Sequence, residues 1–155
     1  MRDVETIETE LLLADILTLE KRKHKVEKLA RSGDKEAKSY LYVLDLLLEH
    51  CSNGNAARLL EVDDEYNEFK RSLHLLTEKP VLYIANTSEV EAMEDNAGDH
   101  VRSLERYASE ENNVVISLCS SIEQEIALLK EEEKPIFLQE YGLSEPGLNL
   151  SLIHI

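Results

Sequence analysis

Apolar residues in the first third of the chain recur at spacings of three and four, which is the pattern of amphipathic helices. No Gly or Pro interrupts residues 3–31, so this segment is predicted to form one long helix. A second helix is predicted over 34–51, where the apolar positions keep a heptad rhythm. The predicted inner faces are Leu12, Ile16, Leu19, Val26 and Ala30 on the first helix, interrupted by Lys23, and Ala37, Leu41, Leu44, Leu48 and Cys51 on the second.

The segment between these helices, RSGDKEAKS, has the composition of a tight turn. Gly33 can adopt the left-handed conformation after a helix, and Asp34 can cap the next one. Two amphipathic helices joined by so short a turn predict an antiparallel, coiled-coil-like hairpin. A third helix is predicted over 64–76, and its inner face is Tyr66, Phe69, Leu73 and Leu76.

The hydrophobic pattern changes after Pro80. Two short apolar runs, VLYIA at 81–85 and VVISL at 114–118, have the length and composition of buried strands. Helices are predicted after each of them, first over 99–109 and then over SSIEQEIALLK and EEEKPIFLQEYGL. This alternation predicts a parallel α/β sheet, but two strands cannot bury both faces of such a sheet. We therefore expect residues 79–149 to be part of a larger sheet.

Polar side chains follow both predicted strands. The segment NTSE, at 86–89, comes directly after the first strand, and the second strand runs into SLCSSIE. Ligands of α/β proteins bind at the carboxyl ends of parallel strands, and the amide of Asn86 could both donate to and accept from a purine base. The alternative is an ordinary turn followed by a helix cap, because Asn, Thr and Ser favour both. The local pattern leaves these two interpretations open.

The charge of the chain is strongly acidic and unevenly distributed. There are 17 Lys and Arg against 32 Asp and Glu, for a net charge of −15. Residues 21–38 are nevertheless basic, at +5, which leaves −20 for the rest of the chain. The overall acidity argues against nucleic-acid binding by the whole surface, and the alternative to a functional basic tip is a solvated helix. The residues that could dock on RNA or a partner protein are Lys21, Lys23, Lys25 and Lys28.

Several kinds of site are not indicated. None of the five glycines belongs to a phosphate-binding loop or a dinucleotide fingerprint, and no two His stand at metal-ligating spacing. Cys51 and Cys119 are far apart, and Cys51 occupies a predicted core position, so neither a disulfide framework nor a catalytic thiol is indicated. No signal peptide and no apolar run of about 18 residues is present. A cytoplasmic protein without membrane contact is therefore expected.

Four separated stretches resemble the Obg-like ATPases of the YchF type, a branch of the P-loop GTPase superfamily. They are RDVETIETELLLADILTLEKR, KLARSGDKEAKS, LLTEKPVLYIANTSE and EEEKPIFLQEYGLSEPGLN, in the family's order. The resemblance implies an α/β fragment: a helical hairpin insertion with a connecting helix at 1–78, then part of a P-loop NTPase parallel sheet with flanking helices at 79–149. The P-loop, the switch regions and the Mg²⁺ ligands are expected upstream of Met1. The ending LSLIHI, at 150–155, departs from the family.

The resemblance also gives the strand ends a role. Related GTPases carry Asn-Lys-x-Asp where this chain has NTSE, and the Asp of that motif accepts hydrogen bonds from guanine. Adenine presents an acceptor at N1 and has no 2-amino group, so the departure implies a preference for ATP over GTP. The residues expected to contact the base are Asn86, Thr87, Glu89, Cys119 and Ser120.

A protein of this family is expected to bind ATP, to hydrolyse it with Mg²⁺, to associate with the ribosome and to be a monomer. The phosphate-binding groups are not in this sequence, so the chain alone is expected to be inactive. No catalytic residue and no metal ligand is assigned within it. The alternative function is a helical interaction module that docks through its basic tip and has no nucleotide chemistry of its own.

Overall fold

A computed structural model describes residues 1–93, 98–111, 113–143, 146 and 149. They form two compact units, one from Arg2 to Pro80 and the other from Val81 onward. The elements are α1 (Arg2–Arg31), α2 (Lys35–Ser52), a 3₁₀ turn (Ala57–Leu59), α3 (Asp64–Ser72), β1 (Leu82–Asn86), α4 (Glu89–Met93), α5 (Asp99–Glu110), β2 (Val114–Leu118), α6 (Ser120–Leu128) and α7 (Lys134–Glu140). Among the described residues, no helix combines the length and apolar character needed to cross a membrane.

The predicted hairpin is formed by α1 and α2. Gly33 has a φ of 97°, the left-handed conformation that the turn requires. The Asp34 carboxylate accepts hydrogen bonds from the backbone N–H groups of Glu36 and Ala37 at 3.0 and 3.1 Å. Both the turn and the cap predicted from the sequence are therefore confirmed. At 30 residues, α1 is about 45 Å long.

The core of this unit lies along the seam of the hairpin and continues onto α3. The buried apolar residues on α1 are Leu19, Val26 and Ala30, with Leu12 and Ile16 half-buried against them. On α2 they are Ala37, Val43, Leu44, Leu47 and Cys51. The α2 face is broader than the predicted heptad because α2 also packs on α3. Tyr40 stacks on Phe69 there, with ring centroids 3.9 Å apart.

The third helix ends at Ser72, four residues before the end predicted at Leu76. His74 has a φ of 52°, and the backbone N–H groups of Leu76 and Thr77 donate to the carboxylate of Asp15 on α1. A longer helix would need these N–H groups for its own hydrogen bonds, so the contact with Asp15 is incompatible with it. The prediction that Leu76 lies on the inner face is wrong, because its side chain is 42% exposed.

The second unit is built on a parallel pair of strands. Leu82 lies opposite Val114, and Asn86 lies opposite Leu118, so both strands end at the same edge. No third strand pairs with them within the described ranges, and Ile84 of β1 is 54% exposed. A parallel sheet is normally covered on both faces, so this pair has the character of the partial sheet predicted from the sequence.

A helix follows each strand closely, with α4 beginning at Glu89 after β1 and α6 beginning at Ser120 after β2. The contact of α5 with the sheet includes an edge-to-face pair between Tyr107 and Tyr83. The apolar contacts of α6 and α7 form a separate small core, whose buried residues are Cys119, Ile122 and Ile126. The structure shortens the last predicted helix to α7. The ending 150–155 and most of the segment after 143 lie outside the described residues.

Candidate functional site

The strand register brings the polar ends of β1 and β2 together. Asn86 is exposed at the end of β1, and its Oδ1 accepts hydrogen bonds from the N–H and the hydroxyl of Ser120, at 3.0 and 2.7 Å. Ser120 is the first residue of α6, separated from the end of β2 only by Cys119. Two residues that the sequence assigned to separate loops therefore form one hydrogen-bonded pair at the sheet edge.

Thr87 continues the pairing beyond the end of β1. Its backbone N–H donates to the carbonyl oxygen of Leu118 at 2.8 Å, and its hydroxyl donates to the same oxygen at 3.2 Å. The half-buried Thr87 thus fastens the NTSE segment to the end of β2. The pairing between the strands ends at Thr87, and the cap of the next helix begins at Ser88.

Glu89 lies at the start of α4 and reaches the start of α6. The hydroxyl of Ser121 donates to Oε1 of Glu89 at 2.8 Å, and the Sγ atom of Cys119 lies 3.1 Å from the same hydroxyl oxygen. A carboxylate can only accept, so the Ser121 hydrogen belongs to Glu89, and the Cys119 thiol is left to donate to Ser121. Ser121 was not predicted from the sequence, because nothing in the pattern separates it from the other serines at this helix start.

A capping box begins α4, a helix not predicted from the sequence. The N–H and the hydroxyl of Ser88 donate to Oε2 of Glu91 at 2.9 and 2.8 Å. These hydrogen bonds, that of the backbone N–H first, lower the pKa of the Glu91 carboxyl. The signal for this helix was the Ser-x-x-Glu spacing in NTSEVE, so the sequence contained it.

All the residues predicted to contact a base lie at this one edge of the sheet. They form two hydrogen-bonded sets, Asn86 with Ser120 and Glu89 with Ser121 and Cys119, while Thr87 joins the strand ends. Cys119 is only 5% exposed, so it contacts Ser121 from the interior of the unit. The geometry brings the predicted residues together, and their role toward a base remains a prediction.

Comparison with known proteins identifies the family. Over 147 residues, or 95% of its length, the chain is 44% identical to the ribosome-binding ATPase YchF of Bacillus subtilis. It is 44% identical over 148 residues to the protein of that name in Escherichia coli O157:H7, and 34% identical over 149 residues to that in Mycoplasma genitalium. Over these residues, the chain belongs to the YchF family. It spans 40% of the length of each of these YchF relatives.

The fold is shared with a solved YchF structure. The Schizosaccharomyces pombe YchF GTPase superimposes with a TM-score of 0.88 over 99% of this chain and 42% of its own, at 20% sequence identity. At this identity the likeness shows the fold alone. No family-level sequence model matches the chain. Because the bacterial YchF relatives are called ATPases and the yeast structure a GTPase, the names do not decide which base is preferred.

The basic tip of this YchF-family chain lies where the sequence places it, around the hairpin turn. Lys21, Lys25 and Lys28 are exposed on the last part of α1. Lys23 differs, because its ammonium group pairs with the Asp45 carboxylate of α2 at 2.7 Å. The hydrogen bond to Asp45 and the charge of its carboxylate raise the pKa of Lys23. Lys23 thus makes an ion pair across the hairpin, whereas the other three lysines face solvent.

Proposed function

We propose that this chain supplies the base-binding edge of a purine nucleotide site that prefers adenine to guanine. The proposal rests on the Asn86–Ser120 pair at the adjoining carboxyl ends of two parallel strands. Ligands of open α/β sheets bind at this edge. The relatives named ATPases support a nucleotide as the ligand.

The contacts of Asn86 limit which of its atoms can meet a base. Its Oδ1 is occupied by two donors from Ser120, so the remaining polar group is the Nδ2 amide, which only donates. Both purines present an acceptor at N7 that can receive such a hydrogen bond. Asn86 is therefore expected to favour purines without choosing between adenine and guanine.

The choice between the purines falls to Glu89. A carboxylate reads guanine by accepting from N1–H and the 2-amino group, whereas adenine has an acceptor at N1 and no 2-amino group. The Glu89 carboxylate accepts from Ser121 instead, and Thr87, which stands where related GTPases have lysine, is fastened to Leu118. This arrangement supports adenine, whose recognition does not need a carboxylate.

The longer protein of this type is proposed to hydrolyse ATP with Mg²⁺ and to associate with the ribosome. Mg²⁺ would neutralise charge on the phosphates, where positioning and electrostatic stabilisation provide most of the catalysis of phosphoryl transfer. The part of the chain that the structure describes contains no group of three or more His, Cys, Asp or Glu that could hold a metal ion. We propose that the residues at this sheet edge contribute contacts to the base.

Titration of the ¹⁵N-labelled chain with AMP, GMP and CMP, followed by NMR, tests this function. The backbone amide signals of Thr87, Ser88 and Ser120 should shift with both purines, at lower concentrations of AMP than of GMP, and should not respond to CMP. Asn86→Asp keeps an acceptor for Ser120 but removes the donor for N7, so it should weaken AMP and GMP binding alike, by about tenfold. Asn55→Asp makes the same change of charge at an exposed position in the helical unit and is the matched control.

Two results would contradict the proposal in different ways. If millimolar AMP leaves these amide signals unchanged, the chain has no base-binding edge at this position. If GMP binds more tightly than AMP, the purine site remains and the preference for adenine is refuted.

We also propose a second function, in which the basic tip docks on ribosomal RNA. It is favoured by the exposure of Lys21, Lys25 and Lys28 beside the turn of an otherwise acidic chain, and by relatives named as ribosome-binding. Phosphate contacts release counterions, so such binding should weaken steeply as salt is raised. The tip would then position the protein, while the sheet edge binds the nucleotide.

Co-sedimentation with purified ribosomes at several salt concentrations tests the second function. Lys25→Glu with Lys28→Glu should reduce the bound fraction and flatten its dependence on salt. Arg71→Glu with Lys79→Glu makes the same change of charge at exposed positions away from the tip, and should leave binding intact. Equal losses in the two double variants would mean that only the total charge matters and would refute docking through the tip.

A further inference from the structure

We propose that Ser121 sets the base preference of the site by holding the carboxylate of Glu89 away from guanine. The inference rests on the proposed base-binding function, because it assigns a specificity-determining contact to the same site. Ser121 is a positioning residue here, since it acts through Glu89 and needs no contact with the base itself.

The carboxylate is held by a chain of donors that ends in the interior. The hydroxyl of Ser121 donates to Oε1 of Glu89 at 2.8 Å, and the Cys119 thiol, 3.1 Å away, donates in turn to the Ser121 oxygen. Cys119 belongs to the small core of this unit, together with Ile122 and Ile126. Glu89 is therefore restrained from inside the fold, although its own side chain is exposed.

The position of Ser121 on α6 strengthens this restraint. Ser121 is the second residue of a nine-residue helix, so the carboxylate that it binds lies at the positive end of the helix dipole. Glu89 itself is the first residue of α4. The hydrogen bond therefore joins the starts of the two helices that follow the two strands, next to the Asn86–Ser120 pair.

The restraint has opposite consequences for the two purines. Guanine needs an acceptor for N1–H and the 2-amino group, and would have to compete with Ser121 for the carboxylate. Adenine presents a lone pair at N1, which a released carboxylate would repel. Freeing Glu89 should therefore strengthen guanine binding and weaken adenine binding, whereas neutralising Glu89 should remove both effects.

A set of variants in the full chain tests this, with AMP and GMP affinities measured by NMR titration. Ser121→Ala should raise the affinity ratio of GMP to AMP by about tenfold, as expected for a hydrogen bond to a charged group. Ser121→Thr keeps the hydroxyl and should restore the ratio of the unchanged chain. Glu89→Gln combined with Ser121→Ala should also bring the ratio back, because the effect of Ser121 is exerted through the charge of Glu89.

Ser120→Ala is the matched control, because it removes a hydroxyl contact to Asn86 and not to Glu89. It should weaken both purines and leave their ratio unchanged. If Asn86→Asp weakens both nucleotides but Ser121→Ala leaves the ratio unaltered, the inference is overturned and the base site stands. If the double variant keeps the altered ratio, Ser121 does not act through Glu89, which also overturns it. If Asn86→Asp affects neither nucleotide, the base site itself is wrong.

Discussion

Replacing Asp15 by Asn should destabilise the helical unit strongly. The side chain is only 2% exposed, and its Oδ1 accepts from the N–H of Leu76 at 2.7 Å. Its Oδ2 accepts from the N–H and the hydroxyl of Thr77 at 2.8 and 2.7 Å. Donors therefore surround a group that can only accept. An amide puts an NH₂ group in place of one oxygen, and in either orientation this group faces at least one donor.

The size of the effect follows from the number of hydrogen bonds lost. In the less damaging orientation the NH₂ group faces Leu76, so one hydrogen bond is lost and the partly buried N–H of Leu76 is unpaired. A hydrogen bond to a charged group contributes about 1.5–3 kcal/mol, and an unpaired buried donor costs about 1–3 kcal/mol. The two figures count part of the same loss and so cannot simply be added; the free energy of unfolding should therefore fall by about 2–4 kcal/mol. The whole stability of a domain is about 5–15 kcal/mol, so the loss should be large.

Urea unfolding followed by far-ultraviolet circular dichroism measures this loss, and amide hydrogen exchange at Leu76 and Thr77 locates it. Asp45→Asn is the matched control. Asp45 lies in an exposed ion pair with Lys23, which solvent screens, so its amide should cost little and leave those two amides protected. A loss below about 1 kcal/mol in Asp15→Asn, with exchange at Leu76 and Thr77 unchanged, would refute the assigned contacts.

Three further predictions concern single groups and the isolated chain. Burial raises the pKa of the Cys51 thiol to about 11. Because the thiol of the unfolded chain ionises at a lower pH, the free energy of unfolding should be unaffected below about pH 9 and should fall as the pH rises toward about 11. Cys51→Ala should reduce that fall in urea unfolding, and an identical fall would contradict the burial argument. Ser88→Ala should bring the pKa of Glu91 part of the way back up to its ordinary value, because the hydroxyl is lost but the backbone N–H at position 88 still donates. NMR titration of the Glu91 carboxyl measures this change. An unchanged pKa would exclude a contribution from the hydroxyl. The stability that Glu91 contributes in the unchanged chain should be lost as the pH falls below about 4. The purified chain should release no phosphate from ATP above a heat-treated control, and turnover by the chain would show that phosphate-binding groups were overlooked.

The helical hairpin could be predicted because its determinants are local. A buried seam repeats every three or four residues, and Gly33 and Asp34 mark the turn by their own conformational preferences. The end of α3 could not be predicted in this way. It depends on Asp15, which is separated from Leu76 and Thr77 by 61 and 62 residues in the sequence. Without knowledge of its distant donors, an acidic residue such as Asp15 looks only like a break in the apolar face of the helix.

The contacts in the site likewise differ in how far they could be predicted from the sequence. Once two parallel strands are predicted, the common edge brings Asn86 and Ser120 into reach, so their pairing follows from the strand register. The contact of Ser121 with Glu89 depends on how two helix starts lie side by side, which no local pattern encodes. Serine at a helix start is common for reasons of capping alone, so the sequence offers no signal that separates Ser121 from its neighbours.

The basic tip shows what a count of charges cannot distinguish. The charge pattern groups Lys23 with Lys21, Lys25 and Lys28, yet Lys23 pairs with Asp45 across the hairpin. Lys23→Glu would replace this ion pair by two facing carboxylates, so it changes the contact between α1 and α2 as well as the charge of the tip. Loss of ribosome binding in that variant would therefore not separate a lost RNA contact from a distorted hairpin. Reversal at Lys25 and Lys28 makes that separation, because both side chains are exposed and the Lys23–Asp45 pair is kept.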